Sequence, residues 1–583
     1  MRYRQGWSAR GARLLNAWAA RRAARARPAT GFRTPPEPHT FGLVARGRQL
    51  VAGNLMFAGH LVETPAGTRP WEVAAPDSAF TAELHGFGWL DDLAALGTPA
   101  ARSLAQDWLR DWIARYGSGR GPGWTAELAG RRLTRWIQHA LFLIGGQDAA
   151  EQAPFFRALA VTADFTARRW RAAPPGLERF EAVAGLVLAG LALSGLEERL
   201  ETGLAALERV CREEIDAGGA IPTRNPEELM EVLTLLTWIA AVLGDAGREA
   251  GPELTAATAR AAQTLRALRH ADGGLPRFHG GGRGAEGRLD QALATTDARR
   301  KPPEALAMGY ARLRAGRTSV IVDAAPPPSG RGSFNAHAST LAFELTSGRR
   351  PVIVNCGAGG SFGEEWRRAG RATPSHSTLC LEGRSSARLG ESLIVAGARR
   401  EMLEAAPSRV PVELDRDAEA HRFEAAHDGY LEGWGLTHAR MLALSLDGRG
   451  LSGEDFLVAL APDDKQRFDA ALDAARLRGL AYQIRFHLHP DVDAELDMGG
   501  AAASLALPSG EVWVFRHDGA ARLSLEPGVY LEQGRLRPRA AQQIVLSGRA
   551  FEYATRVRWS VAKAQDTATA VRDLAEGAPE YEV

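Results

Sequence analysis

The sequence predicts a two-domain α+β protein in which a helical N-terminal half is followed by an antiparallel β-sandwich. A chain of 583 residues exceeds the roughly 250–300 residues that one hydrophobic core serves, so at least two domains are expected. The hydrophobic pattern also changes from helical to alternating near Gly316. The expected units are a basic N-terminal segment (1–40), an α/α toroid domain (41–315), the sandwich domain (316–565) and a C-terminal tail (566–583).

The helical half is predicted from apolar residues that recur every three or four positions between about Asp77 and Arg314. Two helices are placed at Phe180–Leu200 and Pro226–Leu243, and the second begins with proline and two glutamates, as helix starts prefer. The connections are short and carry Gly or Pro. Sequential helices are therefore expected to pack as antiparallel hairpins in a toroid or solenoid.

Beyond Gly316, short alternating segments separated by Gly, Asp and Pro predict strands. Because helical segments do not alternate with them, an antiparallel sandwich is expected rather than a parallel sheet. The predicted strands are Thr318–Asp323, Leu341–Leu345, Pro351–Val354, Tyr482–His489, Glu511–Arg516, Ala521–Leu525, Gln543–Leu546 and Thr555–Val561.

The overall charge and cysteine content exclude several classes of protein. The 71 basic and 69 acidic side chains give a formal net charge of +2, so nucleic acid is not an expected partner. Cys211, Cys356 and Cys380 are too few for a disulfide framework. No apolar run of about 18 residues is present, and no transmembrane span is predicted. Nothing in the sequence indicates an oligomeric state.

The N-terminus, Met1 to Phe32, is rich in arginine and alanine, with Trp7, Leu14, Leu15 and Trp18 at loosely helical spacing. It lacks an apolar core followed by a small-residue cleavage site, so no secretory signal is predicted. A cytoplasmic or inner-membrane-associated location is expected. The segment is either a basic amphipathic helix lying on an anionic membrane or a solvated leading helix with snorkelling arginines, and the second is the simpler interpretation.

The first polar cluster, Arg224 and Asn225, directly precedes the predicted helix at Pro226. An asparagine in this position is typical of a helix N-cap. The guanidinium of Arg224 matches the geometry of a carboxylate. The cluster therefore suits either helix capping or recognition of an acidic ligand.

The second cluster surrounds a glycine run, Gly280–Gly282, which either lets the backbone approach a ligand closely or forms a plain solvated loop. Arg277 and Arg283 flank the run and supply positive charge. Phe278 cannot move protons, so any base in this loop must be His279.

The third and fourth clusters fall in the predicted sandwich. Asn335 and His337 are two residues apart and would share one face of a strand. Asn355 follows the returning strand of the next hairpin. Arg371 and His376 lie in the element that comes after it.

In this order and spacing, the clusters resemble the heparinase II/III-like family of polysaccharide lyases over most of the chain. Weaker matches are Leu84–Trp89, Arg131–Trp136, His427–Tyr430, His438–Arg440 and Phe486–Pro490. The resemblance implies an incomplete α/α toroid followed by a sandwich. It also implies β-elimination of a uronic-acid-containing acidic polysaccharide, and a periplasmic or envelope location as the alternative to the one expected above.

The resemblance implies roles for particular residues. Asn225 would neutralise the substrate carboxylate, His279 would act as base or acid, and Tyr430 would contribute if its loop reaches the cleft. Asn335 stands where the family has a histidine, and Phe278 stands where it has a tyrosine. The residues expected to bind substrate are Arg224, Arg277, Arg283 and Arg371.

A structural Zn²⁺ site is also implied, with His337, Asn355 and His376 as its ligands. Asn355 replaces the aspartate of the family. A carboxamide is a poor zinc ligand, so any metal binding would be weak, and a polar hydrogen-bonded junction between the hairpins is the preferred interpretation.

Two functional hypotheses follow. The first is a lyase acting on an acidic glycan, which the basic residues favour and which is the leading interpretation. The second is a catalytically divergent glycan-binding or envelope-associated protein, which Asn335 and Phe278 favour. Both assume that Asn225, His279 and the two histidines of the third and fourth clusters converge on a groove between the halves.

Overall fold

The predicted fold class is confirmed: helices form the first half of the chain and antiparallel sheets form the second. The C-terminal tail predicted at 566–583 lies outside the described residues, as do residues 34–40 of the N-terminal segment. The computed structural model describes residues 2–33, 42–65, 67–296, 306–395, 398–532, 535 and 537–564.

The helical half consists mainly of helices that pack on their sequential neighbours, with α9 at the centre between α6 and α10. The helices are α1 (Arg2–Ala23), α2 (Val44–Val51), α3 (Ser78–Gly86), α4 (Trp89–Leu96), α5 (Pro99–Tyr116), α6 (Ala126–Gln138), α7 (Ala140–Ile144), α8 (Ala149–Arg169), α9 (Leu177–Ala192), α10 (Glu198–Glu214), α11 (Pro226–Asp245), α12 (Pro252–Leu268) and α13 (Arg288–Ala294). Four short strands accompany them: β1 (Gly31–Phe32), β2 (Asn54–Phe57), β3 (His60–Glu63) and β4 (Leu193–Ser194).

Helix boundaries follow local chemistry. The predicted helix at Pro226 is found as α11, with proline in its first turn and the Asn225 side chain at its N-cap. The helix predicted at Phe180–Leu200 ends earlier, at Ala192. There the chain leaves the helix to pair with β1, and Gly195 then adopts a positive φ of 90° that a glycine tolerates.

The second half carries the remaining strands and three short helices. The strands are β5 (Tyr310–Ala315), β6 (Thr318–Asp323), β7 (Phe343–Ser347), β8 (Arg350–Val354), β9 (Leu379–Leu381), β10 (Arg388–Val395), β11 (Ala398–Glu404), β12 (Val412–Arg416), β13 (Ala420–Tyr430), β14 (Leu436–Ser445), β15 (Gly450–Val458), β16 (Leu480–Leu488), β17 (Asp493–Asp497), β18 (Ala502–Ala506), β19 (Val512–His517), β20 (Arg522–Tyr530), β21 (Arg539–Ala550) and β22 (Ala554–Lys563). The helices are α14 (Glu364–Gly370), α15 (Leu431–Trp434) and α16 (Pro462–Ala474).

Two large antiparallel sheets form the sandwich. One runs in the order β12-β13-β14-β15-β22-β19-β18-β17, and the other in the order β20-β21-β16-β8-β7-β6-β5, with β9 also paired to β16. Strand β5 pairs with β6, so the sandwich sheet already includes Tyr310–Ala315, just before the predicted boundary at 315. Aromatic rings fill the space between the sheets, with Phe343 stacked on Trp559 at 5.6 Å between ring centroids.

A charged network lies inside the sandwich. The carboxylate of Asp455 accepts hydrogen bonds from Arg440, His438 and Trp559, each at 2.8 Å. Burial alone would raise the pKa of Asp455, but Arg440 and His438 bring that pKa below its ordinary value. The histidines and arginine of the weaker family matches in β13 and β14 are therefore structural, because a buried carboxylate needs such partners.

The two halves are joined by polar contacts. His270 Nδ1 lies 3.0 Å from Ser319 Oγ, and Arg400 lies 3.6 Å from Glu178. In the described part of the chain, every helix is too short or too polar to cross a lipid bilayer.

Candidate functional site

Three histidines from both halves meet at the seam between the helices and the sandwich. The backbone N–H of His337 donates to His279 Nδ1 at 3.1 Å, and the rings of His337 and His376 lie 5.1 Å apart. Asn225 reaches the same place, beside Gly281. The three histidines are thus close together and Asn225 lies beside the adjoining glycine loop, but the shared groove on which they were expected to converge stays a prediction. The three imidazoles are, however, at most 2% exposed.

His279 is held in one tautomer. Its Nδ1 accepts the His337 N–H, so its proton resides on Nε2, which lies 3.5 Å from Asp323 Oδ2. Burial, reinforced by the nearby Arg224 cation, lowers the pKa of His279 well below its ordinary value. The nitrogen that a general base would use is already occupied. His279 therefore does not fit the predicted role of base, whereas its predicted role of acid stays a prediction, because Nε2 carries a proton.

The glycine run packs against asparagines. A Cβ at Gly281 would lie 2.2 Å from Asn225 Oδ1, and a Cβ at Gly280 would lie 2.9 Å from Asn335 Cβ. Asn225 Oδ1 also accepts the Glu228 N–H at 3.2 Å, so the helix-capping interpretation of Asn225 is confirmed. The glycines thus allow the loop to close on the protein itself. Asn335 remains exposed at the seam.

Arg224 has a structural role that corrects its predicted contact with substrate. Its guanidinium donates to the carbonyl oxygens of Met308, Gly309, Ala325 and Pro326 and to Asp323 Oδ1. An arginine has five N–H donors, and these contacts use all five. No donor is left for a substrate carboxylate.

Arg277 and Arg371 are also committed inside the protein, contrary to their predicted role. Arg277 pairs with Glu344 at 3.2 Å and contacts the Tyr530 hydroxyl. Arg371 is 2% exposed, and burial lowers its pKa to about 10. Its side chain donates to the carbonyl oxygens of Ala336, Ser333 and Glu401.

Arg283 differs from the other three predicted arginines. Its side chain is 49% exposed, and it pairs with Asp272 at 3.2 Å. It lies in the loop that closes on Asn335. Arg283 and Asn335 are therefore the predicted site residues that a ligand could reach without a change in structure.

Tyr430 lies in the hydrophobic core of the sandwich. It is fully buried, and its hydroxyl donates to the carbonyl oxygen of Leu379 at 2.9 Å. Burial raises its pKa well above the ordinary value. The structure corrects the prediction that a loop carries Tyr430 into a cleft.

The residues present do not fit the implied zinc site. Asn355 Oδ1 accepts the Ser377 N–H at 3.0 Å, and Asn355 Nδ2 donates to Glu344 at 3.2 Å, so the carboxamide is committed. His337 and His376 remain as uncharged imidazoles, because burial lowers their pKa values, that of His376 to about 3. Within the described residues, no group of three His, Cys, Asp or Glu side chains has an arrangement that could hold a metal ion.

Asp323 and Glu344 hold the seam together but were not predicted as site residues. Asp323 is fully buried and accepts from Arg224 at 2.6 Å and from Ser339 at 2.7 Å. Glu344 binds Arg277 and the backbone N–H of Asn355. Each is the one charged residue of its strand, Thr318–Asp323 or Phe343–Ser347, which is the signal that could have identified it.

A second polar region lies in the helical half. A cavity of about 320 Å³ is lined by residues that include Arg46, Glu83, Asp92 and Arg131. The two weaker family matches of this half, residues 84–89 and 131–136, contribute to its wall. Buried Glu181 pairs with Arg131 at 2.9 Å. The positive charge that Arg131 brings to the cavity wall is therefore partly neutralised by a carboxylate outside the cavity lining.

Comparison with known proteins finds similarity over both halves of the chain. The family model for the heparinase II/III-like C-terminal domain matches residues 297–560. A crystal structure of heparinase III superposes with a TM-score of 0.69 at 14% identity, covering 94% of this chain and 89% of that chain. Heparan sulfate lyase HepC from Pedobacter heparinus superposes with a TM-score of 0.53 at 15% identity, covering 95% and 88%.

One relative is named for where it is localised and not for an enzymatic activity. The FtsZ-localized protein C of Caulobacter vibrioides is 31% identical over 529 residues, which cover 89% of this chain and 88% of the relative. The lyase structures establish the fold, and this relative establishes kinship over nearly the full length. Together with the matched C-terminal model, they show that the chain belongs to the heparinase II/III-like family.

Proposed function

We propose that this chain has kept the lyase fold without the elimination chemistry, and that it works as a protein localised with FtsZ. The observation that carries the first part is the hydrogen bond from the His337 N–H to His279 Nδ1. It occupies the nitrogen that would have to accept the substrate proton.

The surrounding residues support the loss of β-elimination activity. β-Elimination needs a group that neutralises the carboxylate, a base, and an acid for the leaving oxygen. Phe278, which stands where the family resemblance implies a tyrosine, is buried. Asn335, which stands where the resemblance implies a histidine, can form hydrogen bonds but cannot move a proton. Asn225 caps a helix, and the N–H groups of Arg224 all donate to acceptors within the protein. Among the described residues of the seam, the predicted base His279 and the predicted carboxylate partners Asn225 and Arg224 are thus committed to contacts within the protein.

The second part of the proposal rests on the relative. Its name says that it is localised with FtsZ, and the match extends over both halves of the chain at 31% identity. The superposed lyases share only 14–15% identity. A fold by itself does not establish an activity, so the nearer sequence is the better guide to cellular role.

The absence of elimination is tested with purified full-length protein and a panel of uronate polymers. Unsaturated products absorb ultraviolet light, and no increase in absorbance is expected on any polymer. Heparinase III serves as the positive control on its own substrate. Any absorbance that grows with protein concentration contradicts the proposal.

Localisation is tested by imaging a fluorescent fusion of the full chain together with labelled FtsZ in the source cell. Coincident signals are expected, and the fusion should disperse when FtsZ is depleted. An unfused fluorescent protein provides the control for accidental overlap. A fusion whose position does not change on FtsZ depletion contradicts this part of the proposal.

A lyase or binder of acidic glycans is the second candidate. It is favoured by exposed Asn335 and half-exposed Arg283, which lie on adjoining loops at the seam. For this candidate, Arg283→Glu should weaken retention on an immobilised acidic glycan, whereas Arg409→Glu, an exposed arginine in the sandwich, should not. Equal retention of the two variants removes the candidate.

A further inference from the structure

Helix α1 exposes three large apolar side chains. Leu14, Leu15 and Trp18 are 72%, 53% and 60% exposed. Residues at positions i, i+1 and i+4 lie on one side of a helix, so the three side chains form a continuous apolar patch on its outer face.

The opposite face fastens α1 to the protein through small residues. Ala19, Ala20 and Ala23 are buried, and Arg169 at the end of α8 donates to Asn16 Oδ1 at 2.8 Å. These contacts hold the helix without involving Leu14, Leu15 or Trp18. Their outward orientation is a fixed property of the folded chain.

Positive charge is concentrated beside the patch. Residues 2–33 contain nine arginines and no acidic residue, whereas the rest of the chain has an excess of acidic residues. Arg21 and Arg22 lie one turn beyond Trp18 on the same side of the helix and are exposed, and the Arg22 guanidinium lies 6.0 Å from the Trp18 ring. Exposed Arg25 and Arg27 follow directly after the helix.

We infer that the outer face of α1 docks on an anionic lipid surface. Leu14, Leu15 and Trp18 enter the boundary between headgroups and acyl chains, and the arginines that follow them contact the anionic headgroups. An apolar patch flanked by arginines is the pattern of an interfacial helix, and tryptophan favours this depth. The arginines complement anionic headgroups, and an exposed tryptophan between leucines and arginines suits the headgroup boundary, so an anionic membrane is the occupant proposed for this face. The inference is independent of the proposed function.

Vesicle flotation with the full chain tests the inference. The probes are vesicles of phosphatidylglycerol mixed with phosphatidylcholine, and vesicles of phosphatidylcholine alone. The chain is expected to float with the anionic vesicles and to remain behind with the neutral ones. High salt should weaken the binding, because it screens the arginines.

Paired variants identify the face. Leu14→Ser with Trp18→Ser, and separately Arg21→Glu with Arg22→Glu, should each lower binding to anionic vesicles by at least about tenfold. Matched controls in the sandwich are Leu460→Ser, whose side chain is 69% exposed, and Arg409→Glu, also at an exposed position. The controls should bind like the unmodified chain. Circular dichroism melting should show the same transition for all variants.

Three outcomes overturn the inference. The first is failure of the full chain to float with anionic vesicles, or equal flotation with neutral ones. The second is unchanged flotation of both α1 variants. The third is a change in the sedimentation of the α1 variants without lipid, which would make the face a contact between copies of the chain.

Discussion

The guanidinium of Arg224 lies 2.6 Å from the carboxylate of Asp323, and this ion pair joins the loop before α11 to the end of strand β6. The side chains are 12% and 0% exposed. Asp323 also accepts from Ser339 and faces His279. One buried carboxylate thus connects the helical half, the sandwich and the histidine cluster.

Removal of one partner of this pair should destabilise the protein strongly. Arg224→Ala leaves Asp323 buried without its cation and frees four carbonyl oxygens. The expected loss in unfolding free energy is about 3–5 kcal/mol, measured by urea denaturation.

Arg283→Ala is the matched control for Arg224→Ala. The Arg283 side chain is 49% exposed and pairs with Asp272, whose side chain is 6% exposed, so a smaller loss of about 1–2 kcal/mol is expected. Similar losses for the two variants would show that the buried pair does not hold the halves together.

Tyr430→Phe should have a small structural effect. The ring stays in the sandwich core, and the loss is the hydrogen bond to the carbonyl oxygen of Leu379, worth about 1 kcal/mol. Tyr553→Phe removes an exposed hydrogen bond to Asp469 and should cost less. If Tyr430→Phe weakened binding to an acidic glycan while stability was unchanged, Tyr430 would have to be counted as a residue of the functional site.

The fold could be predicted from the sequence because hydrophobic periodicity is a local property. Strand Thr318–Asp323 was predicted with its observed bounds, and the helix starting at Pro226 was predicted from its cap. Strands β10 to β15 were not predicted. Several of these strands have exposed, charged faces, as in Val412–Arg416, and the period of two is then hard to recognise.

The functional site was harder to predict because its roles depend on long-range contacts. The motif order indicated that His279, His337 and His376 would meet, and they do. The spacing of residues in the sequence could not show that the N–H groups of Arg224 donate to residues about 100 positions away. Which atom a side chain contacts is decided by the packing of the two halves, and no local pattern encodes it.

Gly281→Ala should disturb the seam. A methyl group at this position would lie 2.2 Å from Asn225 Oδ1, and relief requires movement of the helix cap or the loop. A loss of about 1–3 kcal/mol is expected in thermal or urea unfolding. Gly244→Ala, where the new methyl group meets nothing within 4 Å, should be neutral or stabilising. The same loss at both positions would argue against tight packing of the loop.

The Asn355→Asp variant should depend on bound zinc for its full thermal stability. The unmodified chain is expected to contain zinc well below one equivalent by elemental analysis, because the carboxamide is a poor ligand. The aspartate would face Glu344 where Asn355 Nδ2 now donates, so the metal-free variant should be destabilised. Added Zn²⁺ should restore its melting temperature, whereas His376→Gln in the same background should abolish the restoration. Stoichiometric zinc in the unmodified chain would contradict this account.

Asp92→Asn should stabilise the protein at neutral pH and have little effect in acid. Burial, opposed by the Leu43 N–H and by Arg46, raises the pKa of Asp92 from 3.8 to about 6. The favourable contribution of the protonated carboxyl is therefore complete below about pH 4 and is lost as the pH rises through about 6. An asparagine stays neutral and can still accept the Leu43 N–H through its oxygen.

The gain for Asp92→Asn should be about 1–2 kcal/mol at pH 8, allowing for partial solvent access. It should shrink towards zero at pH 4, as measured by urea unfolding across the range. Asp107→Asn, whose side chain is 60% exposed, provides the control and should show no such trend. A gain that is independent of pH would mean that the carboxylate of Asp92 carries no desolvation cost. The cavity lined by Asp92 would then be an ordinary hydrated surface feature.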